Sequence, residues 1–62
     1  MFEIDKVYEI ILTENPKNPQ TLFNCVVKSY DSESGLLIVE RNGEEIIINV
    51  KSPGFLKANL QK

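Results

Sequence analysis

Leu36-Leu37-Ile38-Val39-Glu40-Arg41-Asn42-Gly43-Glu44-Glu45-Ile46-Ile47-Ile48-Asn49-Val50 is the stretch that decides the fold. An Asn-Gly pair between two runs rich in branched apolar residues is the strongest short-range hairpin signal. The type I′ turn it favours needs φ > 0 at both central residues, which Asn tolerates and Gly adopts freely. With Asn42-Gly43 as a two-residue loop, Arg41 faces Glu44, Val39 faces Ile46 and Leu37 faces Ile48. One face of this hairpin carries Leu37, Val39, Ile46, Ile48 and Val50, and the other carries Leu36, Ile38 and Ile47 beside Glu40, Glu45 and Asn49. A hairpin with one solvated face alternates cleanly between apolar and polar residues. Here the second face is mixed, so it is expected to meet either the rest of a closed barrel or another chain.

Outward from the hairpin, the chain reads as more strand and little helix. Val7-Tyr8-Glu9-Ile10-Ile11-Leu12-Thr13 predicts strand one, with Tyr8, Ile10 and Leu12 on one face at period two. Asp5-Lys6 precedes it as a turn. Residues 14–20 are polar and hold Pro16 and Pro19, which fix φ and remove backbone donors, so they are expected to be a loop. Strand two is expected over 21–30, with Phe23, Cys25 and Val27 on one face and Leu22, Val26 and Tyr30 on the other. Asp31-Ser32-Glu33-Ser34-Gly35 reads as a turn, and Ser52-Pro53-Gly54 breaks the strand that ends the hairpin. Residues 55–60 are long enough for one helical turn with a short strand, or for a closing strand alone. No segment keeps a 3.6-residue apolar period over three turns. The fold class expected is therefore all-β: a small five-stranded SH3-like barrel made of a strongly bent antiparallel sheet, with at most one short helical turn. An open antiparallel meander is the alternative.

Sixty-two residues make a single domain spanning 1–62. A chain of this size buries only about 60% of its unfolded surface, so its stability margin is thin. Disulfides, metals or oligomerisation usually widen that margin. One cysteine forms no internal bridge and histidine is absent, which leaves self-association as the device the sequence offers. The formal net charge is -2, which works against non-specific nucleic-acid binding, since that depends on Lys and Arg neutralising phosphates. Met1-Phe2-Glu3-Ile4-Asp5 lacks the basic and apolar regions of a signal peptide, and no apolar run approaches membrane-spanning length. The chain reads as a complete, soluble, cytoplasmic protein, an expectation that its lone thiol fits.

Few side chains suggest chemistry. No histidine is present to act as a general base near neutral pH. Cys25 lies mid-strand within an apolar pattern and reads as a packed core residue without an activating base. The nine carboxylates stand mostly on turns and hairpin rims. Glu44 and Glu45, adjacent in a strand, point to opposite faces and form no catalytic pair. Residues 31–35 are oxygen-rich, but they lack the alternating ligands and the distal acid of a calcium loop. Gly43 and Gly54 stand alone, so no phosphate-cradling loop is present. No catalytic residue, cofactor or metal is expected. Tyr30, at a strand end near Lys28, is the best placed aromatic for stacking a nucleobase, although the favoured reading is that its ring caps the barrel and its hydroxyl meets solvent.

At residues 23–38 the chain resembles the first motif of Sm-like proteins. Phe23, Cys25, Tyr30-Asp31, Gly35 and Leu36-Leu37-Ile38 stand at the motif's spacing, over about a quarter of the chain. Cys25 occupies the family's glycine position, Gly35 its asparagine position and Ser34 its base-stacking position. The second motif is absent, since the chain reads Val50-Lys51-Ser52-Pro53-Gly54 there, and so is the family's N-terminal helix. The resemblance implies a small barrel whose edge strands pair between subunits to form rings. The thin core, the two-faced hairpin and the absence of catalytic groups give a leading expectation of a non-enzymatic assembly or interaction module that self-associates through strand edges. Whether residues 55–60 close their own barrel or reach a neighbouring chain is left open. The alternative is an RNA-binding ring in which Tyr30 stacks a base while Lys28 and Arg41 contact phosphates.

Overall fold

The computed structural model describes residues 2–13 and 18–61, and residues 14–17 of the expected loop lie outside them. Five strands form one antiparallel sheet: β1 (Val7–Leu12), β2 (Gln20–Asp31), β3 (Leu36–Arg41), β4 (Glu44–Asn49) and β5 (Phe55–Leu60). Their order across the sheet is β4-β3-β2-β1-β5. The first four strands make a meander, and β5 adds to the far side of β1. Residues 55–60 therefore pair within their own chain, and no helix forms among the described residues.

The β3–β4 hairpin has the register its turn dictates. Arg41 lies opposite Glu44, Val39 opposite Ile46 and Leu37 opposite Ile48. Asn42 and Gly43 have φ of 55° and 80°, the positive pair that a type I′ turn requires. A Cβ at position 43 would meet nothing within 4 Å, so glycine is favoured there by conformation and not by crowding.

β2 corrects the expected assignment of faces. Tyr8 pairs with Cys25 and Ile10 with Leu22, so Phe23 and Asn24 together oppose Glu9 alone. This two-against-one bulge, with Asn24 at φ 59°, reverses the alternation. Leu22, Cys25 and Val27 all turn inward, and Phe23 is 50% exposed. A second irregularity follows, because Val27 pairs with Val39 and Ser29 with Ile38, leaving Lys28 as the extra residue. It restores the inward direction to Tyr30, which pairs with Leu37 and packs against the core. Bulges increase local twist and bend a strand. Two of them let the long β2 belong to both halves of one curled sheet.

The core lies on the concave side: Tyr8, Ile10, Leu22, Cys25, Val27, Leu37, Val39 and Ile48. Phe2 closes one end, its ring 5.3 Å from Tyr8 and 4.9 Å from Tyr30 between centroids. The turn falls over Ile4-Asp5, one residue earlier than the expected Asp5-Lys6, and ties this N-terminal segment to β2: Asp5 N–H donates to Val27 O at 2.8 Å, and Val27 N–H donates to Lys6 O at 3.1 Å. The Tyr8 hydroxyl accepts from Glu3 N–H at 2.9 Å, so its buried phenol keeps a partner.

The curl stops short of a closed cylinder. β4 is paired only with β3 and β5 only with β1, and no ladder joins β4 to β5. A closed barrel is thus not completed by the hydrogen bonds of one chain. Each of β4 and β5 runs six residues, and residues 50–54 cross between them through a turn containing Pro53, which cannot donate to a ladder.

Candidate functional site

The unfinished side of the sheet is where the surface is most distinctive. Val50 N–H donates to Gly35 O at 2.8 Å, which fixes the alternation of the β3–β4 ladder. Residues 44, 46, 48 and 50 turn their main-chain groups toward β3, whereas Glu45, Ile47 and Asn49 turn theirs away from it. Asn49 is partly satisfied locally, its C=O accepting from Ser52 N–H at 3.1 Å and its Oδ1 from Lys51 N–H at 2.9 Å. The outward groups of Glu45 and Ile47 have no strand neighbour among the described residues. Ile47 is also 64% exposed, the largest value among the exposed large apolar residues.

Beside this edge lies an open groove of about 350 Å³, with Ile46, Ile47 and Ile48 on one wall and Leu12, Thr13 and Phe55 on the other. Its far wall depends on a close backbone approach. Thr13 N–H donates to Gly54 O at 2.7 Å, and a Cβ on residue 54 would lie 2.7 Å from Thr13 O, so only glycine allows the contact. On the convex face, Ile47 pairs with Ile38, and Leu36 follows two residues along β3. Leu36 is exposed and Ile38 half-buried. The mixed second face of the hairpin thus stays open to solvent in the single chain.

The residues considered for RNA contact do not converge. Tyr30 is half-buried with its ring edge-on to Phe2. Lys28 stands on the bulge, 3.7 Å from a Glu40 carboxylate oxygen and 4.0 Å from one on Asp5. Arg41 lies at the other end of β3 from the Leu37 that pairs with Tyr30, and its Nε donates to Phe23 O at 3.0 Å.

Cys25 has no exposed surface, and burial pushes its thiol above the ordinary value, partly offset by the charge of Arg41. The oxygen-rich segment 31–35 is satisfied from within as a turn. Asp31 Oδ1 accepts from Glu33 N–H at 3.0 Å, Gly35 N–H donates to Asp31 O at 2.8 Å, and Lys51 Nζ donates to Glu33 O at 2.6 Å. No cluster of three or more metal-ligating side chains occurs among the described residues. No helix there is long and apolar enough to cross a membrane.

Sequence reasoning identified the two-faced hairpin, but not that β4 would be an edge with a groove along it. The only signal was the run Ile46-Ile47-Ile48, which serves a central strand as well as an edge. No protein-family model, curated protein or solved structure matches the chain.

Proposed function

We propose that this domain is a non-enzymatic assembly module that self-associates through its strand edges. The observation that carries the reading is the β4 edge, where outward main-chain groups at Glu45 and Ile47 adjoin an exposed isoleucine and an apolar groove. A free edge is a template for another strand, and soluble proteins usually blunt such edges with lysine, proline or a covering segment. β5 carries a lysine, Lys57, and a bulged Leu56, whereas β4 has only glutamates at its first two positions. Pairing through the backbone requires no special side-chain chemistry, which suits a chain whose described residues bring together no catalytic constellation.

In this reading the curled sheet is an SH3-like, Sm-like barrel whose missing closure comes from another chain. The additional buried area supplements a core too small to give a wide margin alone. The setting is the cytoplasm, where a lone thiol stays reduced. Light scattering after size exclusion tests the proposal: an assembly larger than one chain at tens of micromolar is expected, and a strict monomer overturns it.

A further inference from the structure

We infer that the β4 edge recognises a second copy of itself, in an antiparallel pair whose two-fold axis passes through Ile47. The inference rests on the self-association reading and adds the strand, the direction and the register.

The outward main-chain groups determine the register. They belong to Glu45, Ile47 and Asn49, a set centred on Ile47. Antiparallel pairing about that centre lets Ile47 exchange both of its hydrogen bonds with Ile47 of the second copy. Asn49 N–H then reaches Glu45 O of the copy, and the reverse. Asn49 O already accepts from Ser52 N–H, and in this register it takes Glu45 N–H of the copy on its second lone pair.

Charge determines the direction. β4 begins with Glu44-Glu45 and is followed by Lys51. A parallel pair would set the glutamates of one copy beside those of the other, which is destabilising. The antiparallel pair sets them beside the Lys51 end, and places Glu45 opposite Asn49.

Side chains agree with both. On the concave face Ile46 meets Ile48 of the copy, extending apolar contact along the groove wall. On the convex face the two Ile47 side chains meet at the axis, next to Ile38 of each copy. An isologous contact of this kind closes at a dimer, whereas pairing β4 with β5 of another copy is heterologous and builds a ring or a filament.

Crosslinking through one introduced cysteine under mild oxidation tests the register, with the native chain and its buried Cys25 as the control. In the proposed pair the two Ile47 Cα atoms lie about 5.5 Å apart, within disulfide range. The two Glu45 Cα atoms lie about 14 Å apart at ~3.4 Å per residue, well outside it. Ile47→Cys is expected to give covalent dimer as the main product, and Glu45→Cys none. Ile47→Lys, at an exposed position, should keep the far-UV spectrum of the parent. It should weaken dimerisation by about tenfold or more, because two ammonium groups would face each other at the axis.

An assembly that survives Ile47→Lys, with Ile47→Cys failing to crosslink, overturns the two-fold β4 pair and leaves association through another edge standing. Mixed crosslinking of Ile47→Cys with Leu60→Cys, without Ile47→Cys homodimer, does the same in favour of β5. A native chain that stays monomeric overturns both this inference and the reading beneath it.

Discussion

Two side chains with shifted ionisation test the packing from opposite ends of the pH scale. Desolvation holds the Cys25 thiol above 9.0, with Arg41 opposing. The folded state therefore keeps this proton more tightly than the unfolded chain does. That contribution to stability is present in full below the ordinary thiol value and is lost as pH rises through the raised one. Native chain is expected to lose more stability between neutral and strongly alkaline pH than Cys25→Ala does, as read from urea midpoints. Equal losses would mean that the thiol is not buried. Asp31 behaves in the reverse sense: the Glu33 N–H, then Ser34, then Lys51 at longer range hold its carboxyl below 3.8 despite its exposure. Its contribution is present above that ordinary value and is lost as pH falls through the lowered one. Asp31→Asn should flatten the acid limb of the stability profile, and an unchanged limb would remove the turn's carboxylate from the account.

At the scale of elements, the hairpin and the bulged strand separate what could be read from sequence and what could not. Gly43→Val introduces a branched side chain at φ 80°, where its Cβ meets nothing within 4 Å, so its cost is backbone strain of about 1–3 kcal/mol. Since a core this small rarely supplies more than about 3–5 kcal/mol, the melting temperature should fall clearly. A variant that melts with its parent would show the turn to be wrong. Asn24, at φ 59° in the β2 bulge, gives a paired test: Asn24→Val should cost a similar amount, whereas Asn24→Gly should be nearly neutral. The hairpin was legible because Asn42-Gly43 states its turn locally and the register follows from loop length. The faces of β2 were not legible. A bulge is a count of residues against a partner strand, here Phe23 and Asn24 against Glu9, and that count exists only once β1 is in place. The tolerance of Asn for positive φ was visible, but asparagine is equally at home in ordinary turns. At 55–60 the sequence left open a helical turn with a short strand or a closing strand alone; the strand forms by pairing with β1, a choice made by residues more than forty positions away.

Across the whole molecule, the unfinished side of the sheet gathers the features that distinguish this chain: the β4 edge, the exposed Ile47 and the groove toward Leu12 and Phe55. A species stabilised by association melts at a temperature that rises with concentration. The most direct measurement follows the edge amides themselves. Hydrogen exchange of the Ile47 amide in β4, and of the Ala58 and Leu60 amides in β5, is to be compared across protein concentrations. Gln61 N–H donates to Val7 O, so those two β5 residues are the ones turned away from β1. Association through strand edges predicts that at least one edge gains protection as concentration rises, with Ile47 foremost. Free exchange of all three amides at every concentration, while the Val27 and Val39 amides remain protected, would contradict it.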